Sequence, residues 1–596
     1  MPPTRARRGA PHVRLRVGFV LIAMVLSVFG ARLVQLQGID PGSYAAMAAA
    51  EGVVDVTLPA VRGEILDRNG EPLAESADGL MVIADPALVN TDEEGNPVDR
   101  APEVATFLAK KLDVDYFTVL ERLRRTDSRF AYVARAVPAA RVSHVLERAD
   151  ELGIDGLSAR RDPIRVYPAG DVAANLVGFL GTPEEDGTPR PLAGFERTFD
   201  DQLAGTDGSA SYSVAGGQRI PLGEHTVVDA VDGQDLTTTL DRQLQWYAQR
   251  VVRQTVQDAR GDSGLAVVMD SRTGEVLALA DHPTFDANAP LESDEADLGA
   301  RSLNDVYEPG SVGKVLTVAA LVDSGKVTAG TRLRVPGALA RQDRVIRDWF
   351  PHDTIKLTLA GVIAKSSNIG TVLAADEFED GEFRRYLNAF GLGRTTGVGV
   401  RGESAGIVPS GSLWTSQTQD RVAFGQSVSV NALQMTAAVN TIANGGVHVD
   451  PSLVKGEATT DGGAVVGTDV AQTRQVVSEE AARQTMEMME RVVDPEAGVA
   501  PRAQVPGYRV AGKTGTAQRA NSECGCYDGT FTVSFAGFAP ADDPRFTIYV
   551  VVQNPRNGGG GGSVAGPAFS QLMGYALRRY AVPPTGTDPS SIPVDW

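Results

Sequence analysis

Two serine–lysine pairs in this chain of 596 residues have the spacing of an activated nucleophile. Ser311 precedes Lys314 by three residues, and Ser452 precedes Lys455 by three. Residues three apart on a helix share a face, so the lysine amine can approach the serine hydroxyl and accept its proton. Ser311 opens a mainly apolar run and is predicted at a helix N-terminus, whose dipole favours negative charge on the serine oxygen. Ser452 follows a proline and is predicted in a turn, which leaves Ser311 and Lys314 as the candidate catalytic pair.

Two further motifs follow along the chain. Ser-x-Asn occurs three times, and the copy at Ser366 and Asn368 separates two helical stretches, which predicts an exposed loop that can point into a cleft. Lys-Thr-Gly occurs once, within a strand-like run. In such a strand, hydroxyls and a cation can bind a carboxylate, and a glycine lets a substrate backbone approach closely. The candidate substrate-binding residues are Lys513, Thr514, Gly515 and Thr516.

Lysine is scarce in this chain, which holds 56 lysines and arginines together but only eight lysines. Two of the eight are Lys314 and Lys513. A lysine that removes a proton must be neutral, and burial together with a neighbouring cation would lower its pKa from about 10.4. Arginine, with a pKa above about 12, could not act as this base. We therefore expect Lys314 to be the general base and Lys513 to be the neighbouring cation.

Other candidate sites carry less weight. The sequence Gly-Asp-Ser-Gly at residues 261–264 is typical of trypsin-like proteases, but no matched histidine motif precedes it. The six histidines show no paired-ligand spacing, so neither a metal site nor a cofactor is predicted. Cys524 and Cys526 lie between two predicted strands shortly after Thr516. The sequence leaves open whether they form a disulfide or remain free thiols.

The N-terminal segment predicts that most of the chain is exported. Residues 1–16 hold five arginines and no acidic residue, and residues 17–31 hold no charged residue. We predict a cytoplasmic tail over residues 1–16 and a single transmembrane anchor over residues 17–37. A cleaved signal peptide is the alternative. Residues 17–596 hold 51 basic and 75 acidic residues, a net charge of −24 that argues against nucleic-acid binding.

The exported part is predicted to contain two regions. Residues 38–234 mix short alternating runs with helical stretches and carry no catalytic motif of their own. Residues 235–585 are predicted to form one α+β domain in which a mostly antiparallel sheet packs against helices. This domain is expected to start with a helix and a hairpin, and to end with three strands and a helix from about Pro567. Residues 586–596 form a C-terminal tail.

The ordered motifs resemble those of a known family. Ser311 with Lys314, Ser366 with Asn368, and Lys-Thr-Gly at 513–515 resemble the three motifs of penicillin-binding proteins and serine β-lactamases. The segments RGEILDRNGEPLA, RVYPAGDVAANLVGFLG and GFERTFDDQLAGTDG resemble the pedestal of class B penicillin-binding proteins. EPGSVGKVLT, KSSNIGT, FGQSVSVNALQM and AGKTGTAQ resemble the transpeptidase domain of the monofunctional cell-division type. Ser427 departs from the family, which more often has glycine there, and we expect a local effect.

The resemblance implies an anchored peptidoglycan D,D-transpeptidase with a pedestal over residues 38–234 and a transpeptidase domain over residues 235–585. Its substrates would be stem peptides that end in D-Ala-D-Ala, and β-lactams would acylate the same serine. The implied roles are nucleophile for Ser311, base for Lys314, proton relay for Ser366, donor-amide binding for Asn368, terminal-carboxylate binding for Thr514 and Thr516, and an oxyanion hole from the backbone N–H groups of Ser311 and Thr516.

The resemblance also implies partners. These are the membrane, a polytopic glycan polymerase and small bitopic division proteins, with no nucleic acid. Four alternatives remain open: an elongation-type transpeptidase, a D,D-carboxypeptidase, a β-lactam sensor, and a non-catalytic division scaffold. The first three share the same motifs and differ in role or in what removes the acyl group. Penicillin binding distinguishes the scaffold from the others.

Overall fold

The computed structural model describes residues 11–34, 53–92, 96–125, 128–181, 189–215, 218–219, 225–342, 344–521, 524 and 526–596. The chain divides into two compact units. The first unit contains residues 1–60, 80–162 and 206–231, and the second contains residues 61–79, 163–205 and 232–596. Each unit is therefore assembled from segments that are distant in sequence.

The first unit contains the apolar N-terminal helix and two sheets. Helix Pro11–Val34 includes a stretch, Leu15–Arg32, that is long and apolar enough to cross a membrane, and none of this stretch is buried in the protein. The buried core of the unit is formed by residues such as Val82, Val104 and Val142. The strands are Val53–Leu58, Gly79–Ala84, Ala131–Pro138, Leu157–Arg161, Gly208–Ala215, Gln218–Arg219 and His225–Val228, and the other helices are Pro86–Val89, Ala101–Leu112, Tyr116–Leu123 and Ala139–Glu151.

A five-stranded antiparallel sheet forms the centre of the second unit. Its spatial order is Val276–His282, Ser263–Asp270, Phe546–Gln553, Cys526–Ala539 and Ala511–Asn521. All eight residues of Phe546–Gln553 are buried, as its nearly continuous apolar sequence requires, so helices must cover both faces of the sheet there. Helices Arg242–Ala259 and Gly561–Arg579 pack against the sheet and against each other. The predicted α+β fold is confirmed.

Shorter elements surround this sheet. The α-helices are Ala174–Val177, Gly194–Thr198, Asp200–Leu203, Arg301–Asn304, Lys314–Asp323, Leu359–Lys365, Asn368–Ala375, Glu382–Ala389, Ser416–Ala423, Ala432–Ala443 and Glu479–Val493. The 3-10 turns are Pro290–Glu292, Glu295–Asp297, Gly310–Gly313, Gly411–Leu413 and Pro501–Ala503. The remaining strands are Ile65–Leu66, Pro72–Ala77, Ile164–Val166, Leu236–Thr237, Arg332–Val335, Leu339–Arg341, Arg344–Ile346, Ile355–Thr358, Val447–Val449, Ala458–Thr459, Val465–Val466 and Thr473–Gln475.

The last helix begins earlier than the sequence predicts. It spans Gly561–Arg579, so the predicted start near Pro567 is wrong by six residues, and Pro567 lies inside the helix. Glycine has a low helix propensity, which favoured a loop over the glycine run. A Cβ atom at Gly561 would lie 2.1 Å from the carbonyl oxygen of Ser534. The helix therefore starts with glycines because its first turn packs directly on the central sheet.

A buried carboxylate joins the three segments whose sequences resemble a pedestal. Glu196 is fully buried, and its two oxygens lie 2.7 Å from Nε of Arg62 and 2.7 Å from Nε of Arg165. Arg165 also donates to the carbonyl of Gly63 at 2.8 Å. A buried carboxylate requires such compensation, since leaving it unpaired costs several kcal/mol. The turn-rich segments are therefore held together by an ion-pair network.

The C-terminal residues lie against the strand Ile355–Thr358. Asp595 pairs with Leu357 in a β-bridge, and the indole N–H of Trp596 donates to the carbonyl of Leu357 at 3.2 Å. Three cations face the indole ring within 6 Å of its centre: Arg332, Arg334 and Lys356. Because the strand leads directly into helix Leu359–Lys365, the C-terminus supports the helix that precedes Ser366.

Candidate active site

Ser311 lies in a 3-10 turn that leads into an apolar helix. The turn spans Gly310–Gly313 and helix Lys314–Asp323 follows it, so the predicted helix-entry position is observed. The side chain of Lys314 is completely buried, whereas Ser311 is half-buried. Gly310 adopts a φ of 55°, and a Cβ there would lie 3.0 Å from the carbonyl oxygen of Thr516. The turn therefore packs closely on the edge strand that carries Thr516.

Ser366 and Asn368 lie where two helices meet. Ser366 ends helix Leu359–Lys365 in a left-handed conformation with a φ of 58°, and Ser367 caps helix Asn368–Ala375 by accepting from the N–H of Gly370 at 2.8 Å. The prediction that this loop is exposed was wrong, because Ser366 is only 6% exposed. The neighbouring apolar helices bury the connection, and Ser366 lines the cavity beside Ser311.

The Lys-Thr-Gly motif lies in the edge strand Ala511–Asn521, which pairs with Cys526–Ala539. Lys513 is completely buried, and Thr514 is 9% exposed. A Cβ at Gly515 would lie 2.2 Å from Oγ of Ser534 and 3.0 Å from the carbonyl oxygen of Pro309. We predicted that this glycine admits a substrate backbone, and the structure gives a second reason for glycine at this position. The strand can approach the nucleophile turn only if residue 515 has no side chain.

Ser366 connects the two buried lysines. Nζ of Lys314 donates to the carbonyl of Ser366 at 2.7 Å and to Oδ1 of Asn368 at 2.8 Å, and lies 3.4 Å from Oγ of Ser366. Nζ of Lys513 donates to the same Oγ at 2.8 Å, and to the carbonyl and hydroxyl of Thr514, both at 3.1 Å. Among the described residues, no hydrogen bond joins the Ser311 hydroxyl to Lys314. Catalytic hydrogen bonds are often formed only once substrate is bound.

The hydrogen bonds favour different charges on the two amines. A neutral amine has two N–H donors and one lone pair. The two short contacts of Lys314 match the two donors of a neutral amine, and its third contact, to Oγ of Ser366 at 3.4 Å, is long. Lys513 faces three acceptors, which is the number that an ammonium group satisfies. The contact distances therefore favour the proton on Lys513 over Lys314, while burial opposes a charge on either amine by lowering both pKa values.

Burial lowers both lysine pKa values. Desolvation lowers the pKa of Lys314 to about 7, and the carboxylate of Asp348 acts in the opposite direction. Desolvation and the nearby Lys314 amine hold the pKa of Lys513 well below its usual range. Protonating both amines at the same time is therefore unfavourable. The pKa of Lys314, about 7, lies close to neutral pH.

The site opens into a cavity of about 630 Å³. Ser311, Ser366, Asn368, Thr514 and Thr516 line this cavity. Lys314, Lys513 and Gly515 do not line it and lie behind its wall. The structure thus brings all eight predicted site residues into one place, while the roles assigned to them remain predictions.

The other copies of the motifs lie elsewhere. The hydroxyl of Ser452 donates to the carbonyl of Val454 at 2.8 Å, and Lys455 donates to the carbonyl of Arg68 at 3.3 Å. Ser302 donates to Asp281, and Asn431 caps helix Ala432–Ala443. None of these residues lines the cavity. Within the described ranges, no three His, Cys, Asp or Glu side chains are arranged to hold a metal ion.

Sequence reasoning missed Asp348 and His352. The fully buried side chain of Asp348 accepts from the hydroxyl of Ser367 at 2.7 Å and from the N–H of Ile369 at 3.0 Å, and its Oδ2 lies 3.0 Å from Nε2 of His352. The carboxylate therefore fixes the loop that carries Ser366. Asp348 lies nineteen residues from Ser367 in sequence, and no local sequence pattern predicts this contact.

Glu308 fixes the opposite side of the nucleophile turn. Its carboxylate accepts from the N–H of Ser427 at 2.8 Å and from the hydroxyl of Tyr527 at 3.0 Å. Ser427 has a φ of 58°, a conformation that glycine adopts without strain, which explains how glycine suits this position in the family.

Cys524 and Cys526 form a disulfide. Of the two alternatives that the sequence left open, a disulfide or two free thiols, the structure shows the disulfide.

Comparison with known families decides the identity of the fold. The Penicillin binding protein transpeptidase domain matches residues 264–574, and the Penicillin-binding Protein dimerisation domain matches residues 57–238. The chain belongs to the class B penicillin-binding proteins. The family that the sequence motifs resemble is therefore confirmed.

Relatives of this class B penicillin-binding protein match over nearly their whole length. The chain is 36% identical to the penicillin-binding protein PbpB of Mycolicibacterium smegmatis, over 96% of this chain and 91% of the relative. It is 30% identical to the peptidoglycan D,D-transpeptidase FtsI of Escherichia coli K12, over 96% and 92%. The crystal structure of penicillin-binding protein 3 from Mycobacterium tuberculosis in complex with aztreonam is similar, with a TM-score of 0.68 and 31% identity over 90% of this chain and 100% of that chain.

Proposed function

We propose that this penicillin-binding protein is a peptidoglycan D,D-transpeptidase that cross-links stem peptides ending in D-Ala-D-Ala through an acyl-enzyme on Ser311. One observation carries the proposal: a fully buried lysine, Lys314, makes its two short hydrogen bonds to Ser366 and Asn368. Such an amine is a base at neutral pH, and it stands one helical turn from a serine at the cavity wall.

In the acylation step, Oγ of Ser311 attacks the carbonyl carbon of the penultimate D-Ala, and its proton passes to Nζ of Lys314. The negative oxygen of the tetrahedral intermediate is held by the backbone N–H groups of Ser311 and Thr516, a contribution of about 3–4 kcal/mol per donor in other acyl transferases. The C–N bond then breaks. Ser366, hydrogen-bonded to Lys513, delivers a proton to the departing nitrogen of the terminal D-Ala, and Lys314 replaces that proton.

The second step transfers the acyl group. An amine from a neighbouring stem peptide attacks the ester on Ser311, gives up its proton along the same route, and forms the cross-link. Asn368 binds the amide of the donor peptide, while the hydroxyls of Thr514 and Thr516 bind its terminal carboxylate before that residue leaves. The support for these two roles is that all three side chains line the cavity beside Ser311. A β-lactam imitates the scissile bond and leaves a long-lived ester on the same serine.

The proposal extends to the membrane topology, the domain bounds and the cellular role. An apolar helix, Pro11–Val34, is consistent with a single-pass anchor. The arginines of residues 1–16 favour a cytoplasmic N-terminus with the catalytic unit outside. We assign residues 17–37 to the anchor, 38–234 to the pedestal and 235–585 to the transpeptidase domain. The relatives include FtsI, and we propose septal cell-wall synthesis beside a polytopic glycan polymerase and small bitopic division proteins.

The reaction is tested with the purified protein and a synthetic donor and acceptor stem peptide. Release of free D-Ala together with a cross-linked dimer, absent in Ser311→Ala, supports the proposal. D-Ala release without any dimer would assign a carboxypeptidase. Acylation by penicillin without turnover of peptides would assign a sensor, and no acylation at all would assign a scaffold. Depletion in cells that produces filaments or branches supports the septal role, whereas rounding indicates elongation.

A further inference from the structure

The cavity beside Ser311 has the opposite charge to the rest of the protein. The whole chain has a net charge of −19 at pH 7. Among the described residues, however, the cavity wall carries four arginines and one acidic residue, Asp420. The arginines are Arg341, Arg344, Arg347 and Arg421. A basic opening on an acidic protein concentrates anionic ligands there and repels them elsewhere.

Three of the four arginines are available to a ligand. Arg341 makes a close ion pair with Asp376 and lies 3.7 Å from Asp420, so its charge is already neutralised. In the part of the chain that the structure describes, the guanidinium groups of Arg344, Arg347 and Arg421 have no ion pair within 4 Å and no side-chain hydrogen bond. Arg421 is close enough to Glu308 and Asp420 for electrostatic interactions without a direct contact.

The backbone of each available arginine is fixed at the rim. Arg344 begins the strand Arg344–Ile346 of a short hairpin. The carbonyl of Arg347 accepts from Nδ2 of Asn368 at 3.0 Å, which places this residue beside the motif that contains Ser366. Arg421 lies in the last turn of helix Ser416–Ala423. Positioned guanidinium groups bind carboxylates in pairs of parallel hydrogen bonds.

The positive charge of the arginines that line the cavity exceeds what binding of the donor's terminal carboxylate requires. That carboxylate is assigned to Thr514 and Thr516, next to Lys513, under the proposed function. Arg344 lies on the hairpin, Arg347 directly follows it, and Arg421 lies on helix Ser416–Ala423, and all three line the same cavity. We infer that Arg344, Arg347 and Arg421 bind a second, free carboxylate in the body of the stem peptide, so that the enzyme prefers stem peptides whose second or third residue is not amidated. This inference rests on the proposed function.

Four synthetic stem pentapeptides ending in D-Ala-D-Ala provide the test. They differ only in whether the carboxylate of the second residue, of the third residue, of both or of neither is amidated, and kcat/KM for D-Ala release is measured for each. With the wild-type protein we expect amidation at one position to lower kcat/KM by roughly tenfold to a hundredfold, the effect of one charge-assisted contact. The position that matters identifies which carboxylate is bound. Equal kcat/KM for all four peptides overturns the inference, and this comparison needs no variant.

Variants assign the effect to the arginines. In Arg344→Gln combined with Arg347→Gln, and separately in Arg421→Gln, the ratio of kcat/KM between free and amidated peptides should fall towards one. Arg578→Gln, at an exposed arginine in the last turn of helix Gly561–Arg579, is the matched control and should keep the wild-type ratio. A ratio that stays unchanged in both arginine variants contradicts the assignment. Failure of the proposed function is distinguishable, because then no peptide would form a cross-linked dimer with an acceptor stem, whatever the ratio of kcat/KM for D-Ala release.

Discussion

The pH dependence of acylation tests whether Lys314 is the base. An ordinary lysine with a pKa of about 10.4 is neutral in roughly one molecule in 2,500 at pH 7, whereas a pKa of about 7 leaves about half of the molecules neutral. Burial therefore raises the population of the active base about a thousandfold. This shift corresponds to about 5 kcal/mol of differential stabilisation of the neutral form.

The expected profile follows from the sign of this shift. The base acts in its neutral form, so the second-order rate constant for acylation by a chromogenic cephalosporin should rise about tenfold per pH unit below pH 7 and level off above it. Asp348→Asn removes the negative charge that opposes the lowering of the Lys314 pKa. The midpoint should therefore move to lower pH. The plateau should also fall, because the loop that carries Ser366 loses an ionic acceptor.

A matched control separates the local charge from a general effect. Asp353→Asn makes the same change at an exposed carboxylate a few residues away and should leave the midpoint near 7. Stopped-flow acylation between pH 5.5 and 9 provides both the midpoint and the plateau. A flat profile, a midpoint near 10, or an upward shift in Asp348→Asn would refute the assignment of Lys314 as the base.

Three further predictions concern single positions. Lys314→Arg makes the positive charge permanent and leaves no lone pair at neutral pH, so acylation by fluorescent penicillin should be lost, and a normal rate would exclude the general-base role. Glu196→Ala leaves the buried Arg165 without its ion pair and Arg62 with Asp200 alone. It should lower the free energy of unfolding by about 3–5 kcal/mol in urea titrations, clearly more than Asp200→Asn at the partly exposed edge of the network. Gly515→Ala places a Cβ atom 2.2 Å from Oγ of Ser534 and 3.0 Å from the nucleophile turn. The acylation rate of this variant should fall at least about a hundredfold, while the protein should still melt cooperatively. Adding Ser534→Gly to Gly515→Ala should restore only part of that rate.

The motifs could be predicted from sequence because their chemistry is local. A serine three residues before a lysine, at the start of an apolar run, specifies both the helix and the face on which the lysine lies. The continuous apolar sequence of Phe546–Gln553 likewise specifies a strand that is buried on both faces. In these places propensity, periodicity and tertiary packing agree, so the sequence alone is sufficient.

The remaining features depend on packing between distant segments. Ser366 was predicted to be exposed because polar residues interrupt two helices, yet those apolar helices bury it. Asp348 supports the site through contacts across nineteen residues, which a local pattern cannot reveal. The start of helix Gly561–Arg579 was misplaced because its glycines, poor helix formers, are required by contact with the sheet. Tertiary contact overrides local propensity in each case.

The identity of the acylated residue is the most direct test of the catalytic assignment. Purified protein is incubated with benzylpenicillin, digested, and sequenced by tandem mass spectrometry, with Ser311→Ala as the control. We expect a single covalent adduct, on the peptide that contains Ser311, and no adduct in the variant, whose folding is checked by its melting transition. An adduct on Ser452 or on any other residue, or an undiminished adduct in Ser311→Ala, would contradict the assignment.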